Sequence, residues 1–410
     1  MVSPKAPLLR DVLEEHLEEL AFLWGLRRDG LSSPDLTRAG LSRIEARVEA
    51  HADGLALAGG ELLDLASPGL GADDPAVAFA SGYALLRAGR EGADAVLDAF
   101  REARGGTLEG LAEALAHGEG KETREALSGL AASADGALAV AASTALAIQR
   151  APGLPERVEE RFVDDPAPAV RAAAWRLATL LREAPRPEAV RRGLADPDPA
   201  VALEAAAAAA WFALPAALDA CRERAVSGAA GAGEWLRLLA TLGAAADVGA
   251  VLAAAEDRRG AGAGAAGPRA LGALGHPRGV DALVRMMEDE DAARAAAAGR
   301  AFGKVTGLDA AGERRPGPEA PSLDGGADEE ADDVALPDAA AAGGAWAGVR
   351  ASFARAERWC RGLDVSATAS GELPGDLDTE SYREIRLRGR FYGSWKGDAA
   401  TLLRMAPSGD

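Results

Sequence analysis

Two phrases, DPAPAVRAAAWRLATLL from Asp165 to Leu181 and DPDPAVALEAAAAAAWFAL from Asp196 to Leu214, set Val170 and Val201 31 positions apart. A third, DDPAVAFASGYALLRAG from Asp73, sets Val77 93 positions before Val170, three periods of the same length. At the intermediate places stand the degenerate TLEGLAEALAHG from Thr107 and DGALAVAASTALAIQRA from Asp135. A fixed period of this size means that one supersecondary unit is being copied. Inside each phrase the apolar residues recur at helical spacing: Val170, Ala174, Leu177 and Leu181, then Val201, Ala205, Ala208 and Phe212. The Asp and Pro before each run supply a capping oxygen and a φ angle suited to a first helical turn.

A second helix is expected between phrases, in EGADAVLDAFREA from Glu91, KETREALSGLAA from Lys121, LPERVEERFVD from Leu154, RPEAVRRGLAD from Arg186 and LPAALDACRERAV from Leu214. Neither helix of such a hairpin can bury its apolar face without the next hairpin. The expected fold class is therefore all-α, an α-solenoid of stacked helical hairpins with atypical capping ends. The same pattern runs on to DAARAAAAGRAFGKVTG, which begins at Asp291, and no β-alternation interrupts it. Alanine dominates while aromatics make up 4% of the chain, so the core must come from small side chains on closely approaching helices.

The boundaries follow from where the pattern changes. Residues 1–60 read as an N-terminal helical cap with a stripe of Leu9, Leu13, Leu20 and Trp24, and residues 61–307 as the repeat array. Residues 308–345 read as an acidic, Gly/Pro-rich loop or linker, because Gly317 to Asp338 holds eight acids and no base. Residues 346–410 read as a C-terminal helical segment, with a helix around AWAGVRASFARAERWCRGL and a basic, aromatic tail. In that tail Arg383, Arg386, Arg388, Arg390 and Lys396 alternate with Tyr382, Phe391, Tyr392 and Trp395.

A formal charge of −19 repels nucleic acid and anionic membrane over most of the surface. The longest uncharged runs, Gly136 to Gln149 and Ala205 to Leu218, fall short of the roughly 20 residues a spanning helix needs. The amino terminus turns acidic before any apolar run develops, so a cytoplasmic chain is expected. Cys221 and Cys360 match no metal or redox spacing and read as packed thiols. His16 with Glu19, and His51 with Asp53, have spacings that could approach a metal, but a solvated acidic face accounts for the first pair and a turn for the second. No cofactor or metal is expected.

The phrase with Asp165, Pro166, Val170 and Arg171 resembles the second-helix signature of HEAT and HEAT-like (phycobilisome-lyase type) repeats. In that family an Asp in the turn and an Arg on the helix form a ladder between units; here Ala202 and Ala78 stand where further rungs would be. EEHLEELAFLWGLR from Glu14, RVEAHADGL from Arg47 and FGKVTG from Phe302 resemble an uncharacterised bacterial HEAT-repeat family often encoded beside type VI secretion components. The resemblance implies a scaffold, adaptor or chaperone-like role, with a secretion effector or spike component as partner.

The expected function is non-enzymatic protein binding, with no nucleic acid, no membrane insertion and the oligomeric state left open. Candidate partner-binding residues are Trp175, Trp211 and Trp235 on the repeats, and Arg386, Arg388, Arg390, Tyr392 and Trp395 in the tail, since Trp and Arg are enriched at binding hot spots. Two alternatives stand beside this: core packing for the tryptophans, and a tail docked on the chain's own acidic surface. A lyase or hydrolase with a site between repeats, built on His16, His51 or clustered carboxylates, is the competing functional class.

Overall fold

The computed structural model describes residues 10–118, 120–152, 154, 157–227, 231–316, 333–366 and 373–405. Among them lie twenty α-helices and two short antiparallel strand pairs, an all-α chain. By backbone proximity it divides into two compact units: residues 1–189 with 378–380 and 397–410, and residues 190–377 with 381–396. The division falls inside the stretch that reads as one repeat array.

The first unit holds α1 (Arg10–Gly30), α2 (Arg38–Ala56), α3 (Glu61–Ala66), α4 (Pro75–Arg87), α5 (Arg90–Glu102), α6 (Gly105–His117), α7 (Lys121–Leu130), α8 (Gly136–Ile148) and α9 (Pro168–Leu180). Helices α1, α4, α6, α8 and α9 pack one on the next as a row, and α5 and α7 sit against that row. The contact between α4 and α6 is so close that a methyl on Gly110 would lie 2.2 Å from the Pro75 carbonyl oxygen. Large side chains gather at one place: Trp24 stacks on Phe79 with centroids 3.4 Å apart, Phe79 continues to Tyr83, and the buried Arg27 guanidinium covers the other part of Trp24 at 4.6 Å. Arg27 donates to Glu45 at 2.9 Å, so this buried cation is paired.

After α10 (Pro187–Leu194), the second unit holds α11 (Pro199–Trp211), α12 (Pro215–Arg224), α13 (Ala232–Leu242), α14 (Val248–Glu256), α15 (Ala266–Leu274), α16 (Pro277–Met286) and α17 (Ala292–Thr306). Then come β1 (Ala311–Pro316), β2 (Asp333–Pro337), α18 (Ala339–Val349), β3 (Trp359–Cys360), β4 (Leu363–Asp364) and α19 (Thr379–Phe391). Thr379 and Glu380 of α19 fall in the first unit, as does the closing turn α20 (Ala400–Leu403). Rows form here too: α11, α13, α15 and α17 pack in sequence, with α12, α14 and α16 alongside.

The capping logic of the sequence is met residue by residue. Asp74, Asp135, Asp198, Asp291 and Asp338 each accept backbone N–H groups at the start of α4, α8, α11, α17 and α18. In the Asp165 phrase the second proline opens α9; Asp165 instead accepts from the Ala167 N–H at 2.8 Å, and Arg171 donates back to the Asp165 carbonyl. Three sequence expectations differ from the structure. The second helix expected from Leu154 is a 3₁₀ turn at Val158–Arg161, with Arg157 before it in the left-handed region at φ 53°, which blocks a helical lead-in. The helix around Trp346 ends at Val349 and gives way to a 3₁₀ turn and to β3, so Trp359 lies on a strand. The acidic stretch is flanked by an antiparallel pair, β1 with β2, and its residues 317–332 lie outside the described ones.

Glu159, on that 3₁₀ turn, is 0% exposed, and neither carboxylate oxygen has a hydrogen-bond partner. Burial pushes its carboxyl up to about 7, with Glu160 adding to the effect. A raised carboxyl pKa means that the fold prefers the neutral acid, so stability is fully present below the ordinary value of 4.5 and is lost as pH rises through about 7. Glu159→Gln should stabilise the chain on the order of 3 kcal/mol more at pH 8 than at pH 4.5. Urea denaturation of both chains at the two pH values checks this; an equal difference at both would mean that Glu159 finds a donor.

Candidate functional site

Three helices of the second unit, α13, α15 and α17, bring their C-terminal ends together, and each end leaves backbone carbonyls without an intrahelical donor. Residues from the later part of the chain supply the donors. The hairpin of β3 and β4 docks by its backbone: Trp359 N–H donates to Gly275 at 2.8 Å, Arg361 N–H to Lys304 at 2.6 Å and Gly362 N–H to Val305 at 3.0 Å. Gly275 stands at φ 61°, and a methyl there would lie 2.4 Å from the Trp359 oxygen, so glycine is required for the seat.

Arg358, 7% exposed, reaches two helix ends at once, donating to Ala240 at 2.7 Å, Gly243 at 2.6 Å and Ala273 at 3.3 Å. From α19, Arg388 donates through Nη1 to the carbonyls of Thr241, Leu242 and Gly243, and the Tyr392 hydroxyl donates to Leu242 at 2.7 Å. Cations at helix C-termini also meet the negative end of the helix dipole. Burial, and then the neighbouring Arg388, pull the Arg358 guanidinium down to about 9, so it stays charged at neutral pH. These groups wall a cavity of about 170 Å³ that also takes in Lys304, Glu384, Ile385 and Val365. Glu384 accepts from Lys304 at 2.8 Å and from Arg237 at 3.3 Å.

The residues nominated from sequence lie mostly inside. Trp175 is 0%, Trp235 2% and Trp211 6% exposed, which places all three in the packed interior. Arg390 donates to the Trp211 carbonyl at 3.2 Å and lies over its ring, while Trp395 meets that ring edge-on. Arg386 is buried between the rings of Tyr382 and Trp395. Within the second unit, then, the basic tail is docked on the chain itself, with Tyr392 the one member of the set still largely exposed.

His16 and His51 do meet, but each other rather than the acids considered with them. Their Nδ1 atoms are 2.9 Å apart, which requires one donor and one acceptor. Glu19 pairs with Arg47 and Asp53 with Arg87. Burial, and then His16, lower the His51 pKa. No group of three or more His, Cys, Asp or Glu able to hold a metal occurs among the described residues, and both cysteines are buried thiols.

Two features escaped sequence reasoning. On α6, Glu113 and His117 share a face against Trp24: the indole N–H donates to Glu113 at 2.5 Å, and His117 packs edge-on. Burial raises the Glu113 carboxyl and drives the His117 pKa well below its ordinary value. Their i, i+4 spacing was readable; their shared partner 89 positions away was not. The second is an open face on α1, where Glu15, Glu18, Phe22, Leu26 and Asp29 follow one another at three- and four-residue spacing and are all exposed. Phe22 is 59% and Leu26 41% exposed.

No family model and no curated protein matches the chain. Among solved structures it is similar to the crystal structure of an engineered protein, at 17% identity and a TM-score of 0.28, over 70% of this chain and 88% of that one. So low a score carries no argument about fold or function. No helix among the described residues is long and apolar enough to cross a membrane.

Removing Arg358 orphans carbonyls at two helix ends. Arg358→Met should cost roughly 2–4 kcal/mol, whereas Arg269→Met, at an exposed position, should stay within about 0.5 kcal/mol. Denaturant midpoints of the two variants decide; equal effects would deny Arg358 its capping role.

Proposed function

We propose that this chain is a non-enzymatic, protein-binding scaffold made of stacked helical hairpins, and that the exposed face of α1 is its docking surface. The observation that carries the reading is Phe22 and Leu26, two large apolar side chains left in water on adjacent turns of one helix. Burying both on a partner would contribute a few kcal/mol, enough for an anchor. Their flanks on the same face are acidic: Glu15 and Glu18 on one side, Asp29 on the other. The partner that fits is an amphipathic helical segment with apolar anchors and Lys or Arg around them. A second copy of the chain fits poorly, because it would set these acids against their own kind.

The docking residues of this proposal differ from the tryptophans and arginines nominated in sequence, which the fold uses for its own packing. The amino-terminal sequence adds a cytoplasmic setting, and the family resemblance a secretion effector or spike component as the partner. The comparisons with known proteins supply no link to either.

A fluorescein-labelled helical peptide of leucine and lysine serves as a probe, with a glutamate-for-lysine version as control. Anisotropy should show saturable binding of the basic peptide alone, weakened about tenfold or more by Phe22→Asp with Leu26→Asp. Far-UV circular dichroism should be unchanged in that variant, since both side chains are exposed. Undiminished binding would trace the affinity to bulk charge and remove α1 as the docking face.

A further inference from the structure

His16 on α1 and His51 on α2 meet in a way that one hydrogen bond does not use up. Their Nδ1 atoms stand 2.9 Å apart, with the ring planes 65° to one another. Neither Nε2 makes a hydrogen bond to the described residues, and both rings are half-buried, so water reaches them. A neutral imidazole can carry its proton on either nitrogen. With both protons on the Nε2 side, two Nδ1 lone pairs face each other, an arrangement that is repulsive until a cation comes between them.

The separation selects among ions. Imidazole nitrogen lies about 2.0–2.1 Å from zinc and its neighbours in the first transition row, so two nitrogens 2.9 Å apart subtend roughly a right angle at the metal. A tetrahedral ion spreads the same two ligands to about 3.3 Å. The right angle belongs to the square-planar or tetragonal sites of Cu²⁺ and Ni²⁺, for which imidazole is a suitable ligand.

The surroundings suit such an ion. About one turn away on each helix, Leu13 and Leu20 on α1 and Val48 and Leu55 on α2 are at most 5% exposed, so packing holds the two backbones in place and presents the pair ready-made. Of the fixed charges around His51, Glu15 and Glu19 favour a cation and Arg47 opposes it, while Arg47 is itself paired with Glu19. The chain's other two histidines are engaged elsewhere, His117 against Trp24 and His276 at the start of α16.

We propose that His16 and His51 chelate one Cu²⁺ or Ni²⁺ ion through their Nδ1 atoms and thereby pin α1 to α2. Among the described residues no third His, Cys, Asp or Glu joins them, so water fills the remaining positions. The proton that the two rings share leaves as the ion enters. Neither histidine belongs to the docking face of α1, so the site stands or falls apart from that reading.

Titration of the full chain with Ni²⁺, Cu²⁺ and Zn²⁺ by calorimetry tests this, with electron paramagnetic resonance of the copper form. One ion should bind per chain, nickel more tightly than zinc, and the copper spectrum should carry hyperfine lines from two imidazole nitrogens. His16→Asn and His51→Asn each remove a ligand, while the amide keeps a donor and an acceptor for the remaining ring. Each should weaken binding about tenfold or more, the least that losing a ligand's own supporting partner costs. Nickel should raise the thermal midpoint of the parent chain and leave that of either variant where it is. Far-UV circular dichroism shows that the variants remain folded. Binding undiminished in both variants would place the ion elsewhere, zinc held more tightly than nickel would refute the right-angle geometry, and no saturation at one ion per folded chain would remove the site. Each of these overturns the proposal.

Discussion

Where two helix backbones come this near, no space is left for a side chain, and the chain answers that constraint with alanine and glycine throughout. A methyl on Gly267 would lie 2.2 Å from the Ala255 carbonyl, and one on Gly272 3.2 Å from Ala301 Cβ. Close approach lets backbone atoms themselves supply much of the dispersion contact that larger side chains provide elsewhere. It also fixes where large groups can go. The few rings gather in clusters, Trp24, Phe79 and Tyr83 in one unit and Trp346, Phe353 and Trp359 in the other.

Short helices stacked in rows multiply helix ends, and each end must have its polar groups satisfied. At the N-termini of α4, α8, α11, α17 and α18 the chain solves this locally, with an aspartate one residue before the helix. At the C-termini of α13 and α15 the local cap N–H groups reach Leu239 and Leu271, and donors to later carbonyls come from more than eighty positions on. This accounts for the composition of the basic tail. Arginine suits the task because one guanidinium can reach several carbonyls, as Arg358 does across two helices.

The difference between local and distant satisfaction also marks what could be read from the sequence. Helix positions and the all-helical class were legible, because apolar periodicity and Asp-Pro caps act within one turn of the residues that encode them. The helices at Pro168–Leu180 and Pro199–Trp211 sit on the two phrases that announce them. The partner of His16, 35 positions away, and the seat of Arg388, about 145 positions away, depend on which helices become neighbours, and periodicity is silent on that. Exposure has the same limit. Trp211 and Phe22 are both large rings on helices, yet one is enclosed by the tail and the other is open. The break at Ala189 left no compositional trace in a run that is rich in alanine on both sides.

The buried cations of this acidic chain draw largely on the acceptors that helix and loop ends leave over. Arg27, Arg294, Arg358 and Arg388 all find acceptors in the interior, most of them main-chain carbonyls at helix or loop ends. A buried carboxylate needs N–H donors instead. In an all-α fold most main-chain donors are consumed along the helices, so buried Glu45, Asp247 and Glu384 take theirs from arginine or lysine side chains. Glu159 shows the consequence, enclosed with both oxygens unmet and its charge disfavoured. The same asymmetry leaves the cavity of the second unit lined by guanidinium groups whose acceptors carry no charge. Positive charge gathers where helix ends supply oxygen, and a buried acid is comfortable only where an arginine or lysine meets it, as at Glu45 and Glu384.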